Sequence, residues 1–85
     1  MFAVYFIQNT VTKEFYIGHI KNLRRRLSEH NRGLQTATKR NVGEWKFVYI
    51  EAYRSFEDAL RREQRLKSHG RAKQELYKRI KNSFL

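Results

Sequence analysis

A chain of 85 residues without a single cysteine has no disulfide staple and no thiolate metal site, so its fold must rest on a hydrophobic core alone. At this length the core must also be compact, because a short domain buries a smaller share of its surface than a long one. Apolar residues at 40% and aromatic residues at 14% make such a core attainable. The length fits one domain spanning residues 1–85, with no repeat, low-complexity tract or linker. The missing cysteines permit a reducing compartment, and a cytoplasmic location is the expectation. The apolar opening run, Met1 to Ile7, lacks a basic leader and a small-residue cleavage site and is far too short to span a bilayer, so it reads as a strand.

Nineteen Lys and Arg against eight acidic residues leave a formal charge of +11. In so small a domain that imbalance points to a polyanionic partner, through phosphate neutralisation and counterion release. Nucleic acid is therefore the expected partner, with no membrane and no small-molecule cofactor. Charge alone does not imply cleavage, and oligomeric state is not readable from it.

Phe2 to Gln8 and Phe15 to Ile17, the latter ending at Gly18, carry residues suited to strands. The polar stretch Asn9 to Lys13 between them suggests a hairpin, with Tyr5 and Tyr16 as near neighbours across it. Asn22 caps a helix over Leu23 to Asn31 that Gly33 stops. Leu34 to Glu44 reads as a basic loop. Lys46 to Tyr53 is a third strand, in which Val48, Ile50 and Ala52 alternate with Phe47, Tyr49, Glu51 and Tyr53. Ser55 opens a helix that runs to about Ser68 and is stopped by Gly70; a last helix covers Ala72 to about Asn82. The class is α+β.

Ionisable groups fall on faces that should be buried. The inward stripe of the first helix, Leu23 and Leu27, also passes through Arg26 and His30. On the second helix Phe56, Ala59 and Leu60 lead to Glu63, then to Leu66 and Lys67. A carboxylate there is costly unless paired, hydrogen-bonded or holding a metal. An Arg26–Glu63 salt bridge without chemistry is one reading, and a functional site is the other. The lone histidines His19 and His69 gain no role from spacing. Lys39, Arg40, Lys67, Arg71, Lys73, Lys78, Arg79 and Lys81 read as a solvated basic surface.

These pieces fall in a recognisable order. Ala3-Val4-Tyr5, Tyr16-Ile17-Gly18, Leu23-x-x-Arg26-Leu27-x-x-His30-Asn31 and Ala59-Leu60-x-x-Glu63-x-x-Leu66-Lys67 together resemble the GIY-YIG nuclease domain over about residues 2 to 70, and are most similar to its short stand-alone bacterial members. The resemblance implies a small three-stranded antiparallel sheet flanked by helices. It also implies endonucleolytic hydrolysis of phosphodiester bonds, in DNA rather than RNA, by a one-metal mechanism that leaves a 5′-phosphate and a 3′-hydroxyl. By the same resemblance Tyr5 is a candidate general base or water-orienting group, and Tyr16 shares or supports that role. Arg26 stabilises the scissile phosphate, His30 assists proton transfer or binds phosphate, and Glu63 ligates a single Mg²⁺ or Mn²⁺.

One carboxylate suffices for such an ion when waters and substrate phosphate complete its shell. A tyrosine with an ordinary pKa near 10 is a poor base at neutral pH, so either Arg26 and the metal favour its phenolate or His30 shares the proton work. The chain departs from the family pattern in lacking the Gly-Ile pair before Tyr5, and in carrying His19 and Ile20 where relatives place a small polar residue or Lys and then Thr. The alternative is a non-catalytic basic module that keeps the nuclease fold and binds nucleic acid. A metal-free ribonuclease would need a second paired histidine, and a two-metal site would need clustered carboxylates in a chain whose only Asp is Asp58.

Overall fold

In a computed structural model, which describes residues 1–33 and 42–85, the opening run is the central strand of a three-stranded antiparallel sheet. The strands are β1 (Phe2–Asn9), β2 (Phe15–Ile20) and β3 (Trp45–Tyr53), in spatial order β2-β1-β3. Every residue from Ala3 to Asn9 is buried. A run without polar alternation suits a strand covered on both faces, and β1 is covered on both. Most of the expected basic loop, residues 34–41 with Lys39 and Arg40, lies outside the described residues.

Helix α1 (Leu23–Asn31) covers one face, where Tyr5, Ile7 and Trp45 pack with Tyr16, Ile20, Leu23, Leu27 and Phe47. Helices α2 (Phe56–Ser68) and α3 (Gly70–Arg79) cover the other, where Val4, Phe6 and Ile17 meet Ala59, Leu66 and Leu76. The caps follow the sequence: Asn22 Oδ1 accepts from the Arg25 amide at 3.0 Å, and Ser55 Oγ from that of Asp58 at 3.4 Å. At the β1–β2 turn the Asn9 side chain accepts from the amides of Val11 and Thr12, at 2.9 and 3.0 Å, which closes the hairpin locally. Among the described residues no helix is long and apolar enough to cross a membrane.

Three expectations change. Strand β2 runs on to Ile20, with Gly18 inside it rather than at its end. Gly33 ends α1 with a left-handed φ of 70°, as expected, but Gly70 opens α3 instead of merely stopping α2. The break is at His69, whose extended backbone (φ −119°, ψ 98°) caps both helices. The alternation of the third strand is also interrupted. Phe6 pairs with Tyr49 while Ile7 pairs with Phe47, so Val48 is an extra residue in a β-bulge. Phe47 therefore joins the core around Tyr5, whereas Tyr49 and Tyr53 join the core under α2.

A buried-edge ion pair does form, but between residues other than Arg26 and Glu63. Glu51 on β3 accepts from Arg62 Nε and Nη2 at 2.9 and 3.1 Å, from the Tyr49 hydroxyl at 2.8 Å and from the Tyr53 hydroxyl at 2.5 Å. Burial pushes the Glu51 carboxyl up, but the hydrogen bonds from Arg62, Tyr53 and Tyr49 outweigh it and hold the group below its ordinary range. This bidentate clasp ties α2 to the β3 side of the sheet and leaves its opposite flank, with Glu63, for the β2 edge.

Candidate active site

Tyr5 and Gly18 stand directly opposite each other in the β1–β2 ladder, and the Tyr5 ring lies over the bare Gly18 backbone. A Cβ at Gly18 would come within 2.4 Å of the Tyr5 hydroxyl and 2.6 Å of Cζ. The glycine is there because the ring needs its space. Tyr16 pairs with Ile7, two residues along, which sets the two phenol rings diagonally at 6.2 Å between centroids.

The inward face of α1 delivers the next groups. His30 is 1% exposed, and its Nε2 lies 2.9 Å from the Tyr5 hydroxyl. Its ring centroid is 4.8 Å from that of Tyr16. Burial, and then the Arg26 charge, push His30 down to about 4, so at neutral pH the imidazole is uncharged. In its Nδ1-protonated tautomer Nε2 accepts the Tyr5 O–H. Burial is also the main cause that raises the Tyr5 pKa, with Tyr16 and Glu63 adding to it. Arg26 opposes the rise by charge and by hydrogen bonding without cancelling it.

Arg26 sits one turn before His30 on the same face. Its Nε is buried and makes no hydrogen bond, although Glu29 Oε1 lies 3.2 Å away. Arg26 also forms part of the wall of an open cleft of about 680 Å³, lined as well by Ile20, Lys21, Asn22, Leu23, Arg25 and Glu29. Tyr5, Tyr16 and Glu63 are not part of that lining; the cleft leads up to Arg26, and the other groups lie beyond it.

Because Ile17 and His19 point to the opposite face from Tyr16 and Gly18, the second half of the constellation comes from the α2 side of the β2 edge. Glu63, 8% exposed, has Oε2 2.6 Å from His19 Nδ1. Its Oε1 faces Lys67 Nζ at 3.9 Å, beyond hydrogen-bond reach. The same Nζ lies 5.4 Å from the centre of the Tyr16 ring. Lys67 thus bridges the two halves and is not merely one of the solvated surface lysines. A continuous set of contacts runs from Arg26 through Tyr5, His30, Tyr16 and Lys67 to Glu63 and His19.

All five expected residues, Tyr5, Tyr16, Arg26, His30 and Glu63, join this chain of contacts, while Arg26 and Glu63 each have a nearer oppositely charged neighbour. His19 and Lys67 went without a role in the sequence reading. Strand parity marks His19 as facing α2, and the i+4 spacing from Glu63 marks Lys67. Among the described residues no three His, Asp or Glu side chains group to hold a metal. What the site offers a divalent ion is the Glu63 carboxylate, with His19 on Oε2 and a distant cation before Oε1. That suits a hard ion taking most of its shell from water and phosphate.

The His30 burial has a measurable consequence. An unfolded histidine titrates near 6.5 and the folded one near 4, so the unfolded state gains the proton first as pH falls. The contribution is fully present above pH 6.5 and is lost on the way down to 4. Urea midpoints should therefore fall across this window, and His30→Gln should flatten part of that slope. An unchanged slope would show that His30 is not buried in its neutral form.

Comparison with known proteins adds two findings. A family model described as the GIY-YIG catalytic domain matches residues 1–82. The solution NMR structure of the UPF0213 protein BH0048 from Bacillus halodurans superposes with a TM-score of 0.56 at 25% sequence identity, covering 94% of this chain and 87% of that one. No curated protein matches.

Proposed function

The chain belongs to the GIY-YIG nuclease family, and on that premise we propose that it is an endonuclease that hydrolyses phosphodiester bonds of DNA with one divalent ion, Mg²⁺ or Mn²⁺, in the cytoplasm. The observation that carries this reading is the convergence of two phenols, a neutral imidazole, an arginine at the wall of an open cleft and a buried carboxylate around one edge of β2. A purely structural ion pair would need only two of these groups.

Attack on a phosphodiester builds negative charge on the non-bridging oxygens, and fixed donors aimed at that charge lower the barrier. Arg26, whose side chain lines the cleft, is the donor for one of those oxygens. The Glu63 carboxylate would hold the ion, which when bound would supply Lewis-acid stabilisation of the same charge. Tyr16 is partly exposed and orients the attacking water. Tyr5 is fully buried and is disfavoured as a free phenolate. It can accept a proton at Oη only as it hands its own to His30 Nε2, so the pair moves a proton without a stable phenolate forming. Lys21 and Arg25 in the adjoining cleft hold the strand through its backbone phosphates, a form of contact that carries no base specificity.

Arg26→Ala should lower kcat on a cleavable oligonucleotide by on the order of 10² to 10³, the usual loss for one donor to a developing oxyanion. Binding in the cleft should weaken far less. An unchanged kcat would remove Arg26 from the mechanism.

One observation favours the second reading, a nucleic-acid-binding module without chemistry. Glu63 already has two protein neighbours, His19 by a hydrogen bond and Lys67 by charge at 3.9 Å, and so is held without any metal. Metal-dependent cleavage by the purified protein decides between the two.

A further inference from the structure

His19 stands where the chain departs from the family pattern, and the structure turns its ring directly onto the Glu63 carboxylate. Its Nδ1 is 2.6 Å from Glu63 Oε2, and the ring rests against Phe56 at 5.5 Å between centroids. The His19 and Glu63 side chains are 29% and 11% exposed, so both are held yet reachable by a small ion. We infer that His19 is a second protein ligand of the divalent ion proposed for Glu63, making an imidazole–carboxylate pair that takes Mn²⁺ and the later transition ions in preference to Mg²⁺. The inference rests on the reading of Glu63 as a metal ligand.

Two donors on one ion, each at about 2.1 Å and at a right angle, stand about 3 Å apart. The observed 2.6 Å is short of that by a few tenths of an ångström, which a small swing of the carboxylate supplies. Before the ion enters, Nδ1–H donates to Oε2. Once it is bound, the neutral ring carries its proton on Nε2 and Nδ1 presents a lone pair. Glu63 Oε1, with Lys67 at 3.9 Å, remains for hydrogen bonding to a water or for bidentate contact. Imidazole nitrogen favours borderline ions, whereas Mg²⁺ keeps to oxygen donors, so this donor pair alters selectivity as well as affinity.

The competing explanation is that His19 only orients Glu63, as residues around a metal site often do. Such a role can cost as much affinity as a ligand does, but it adds no nitrogen donor to the ion and so no preference of its own for the later transition ions. The test is therefore a selectivity. Ni²⁺ and Mg²⁺ are titrated calorimetrically, each alone, into the full chain carrying His69→Gln, because exposed His69 would itself attract Ni²⁺. The same background is then given His19→Asn, whose amide can keep the hydrogen bond to Oε2 but offers no imidazole, or Glu63→Gln. The expected result is that His19→Asn lowers the Ni²⁺/Mg²⁺ affinity ratio at least tenfold, while Glu63→Gln weakens both ions. If His19→Asn leaves the ratio unchanged while Glu63→Gln still weakens binding, His19 is an orienting group and the proposal is overturned, with the Glu63 reading intact. If Glu63→Gln binds both ions like its parent, the Glu63 reading fails and takes the proposal with it.

Discussion

Glu63→Ala is expected to bring metal-dependent cleavage to background, a loss of at least about a thousandfold, because on the proposed reading it removes the carboxylate that would hold the ion at the developing charge. Binding to an uncleaved oligonucleotide should stay within about threefold, since that affinity is set by many phosphate contacts and the change deletes none of the 19 Lys and Arg residues. The isosteric Glu63→Gln should behave in the same way, which separates loss of the ligand from loss of packing at a position only 8% exposed. Cleavage rates with Mg²⁺ and Mn²⁺, beside a fluorescence binding curve, provide both numbers. Parent-like cleavage by Glu63→Gln would dismiss the metal assignment. A parent protein that binds but never cuts single-stranded, duplex or branched DNA, or RNA, would leave the binding-module reading in its place.

Gly18→Ala should be the most damaging small substitution in the sheet. Its new methyl would lie 2.4 Å from the Tyr5 hydroxyl, and Tyr5 has nowhere to go: Tyr16, His30 and Phe47 pack around its ring at centroid distances of 6.2, 5.9 and 6.1 Å. Overpacking a filled core costs about 1–3 kcal/mol, and the clash here is with a fully buried side chain, so about 3 kcal/mol or more is expected. For a domain of this size that lowers Tm by on the order of 10–20 °C. Activity should fall further than stability alone explains, because displacing Tyr5 breaks its bond to His30. A double-mutant cycle with Tyr5→Leu should show strong coupling between the two positions. A Gly18→Ala protein with the parent's Tm would mean that Tyr5 does not occupy the space above residue 18.

How much of this was readable beforehand divides along physical lines. The elements were, because strand residue types, Asn22, Ser55 and Gly33 act locally. So were the odd polar residues of the helices, since Arg26, His30 and Glu63 interrupt apolar stripes that helical periodicity makes plain. What escaped depends on pairing between segments. Gly18 looked like the end of a strand because its purpose lies on the neighbouring one, in the Tyr5 ring. The Val48 bulge has no mark in the sequence, yet it decides that Phe47 and not Val48 lies behind Tyr5. Gly70 looked like a stop because glycine follows so many helices, and nothing local says that His69 makes the break. The salt bridge considered for Arg26 and Glu63 failed for a similar reason. Each has a nearer oppositely charged group, Glu29 for one and Lys67 for the other, and Lys67 was one basic residue among many until α2 was laid along the β2 edge.

The placement of the candidate groups on both sides of one sheet edge has a consequence for when the proposed activity could arise. Tyr5, Tyr16, Arg26 and His30 belong to the layer under α1, whereas Glu63, Lys67 and His19 belong to the layer under α2. Neither layer alone holds a working set. A nascent, nicked or half-melted chain would still cling to phosphates through its charge, but on the proposed reading it would not cut, because the full set of groups is assembled only when both helices are seated.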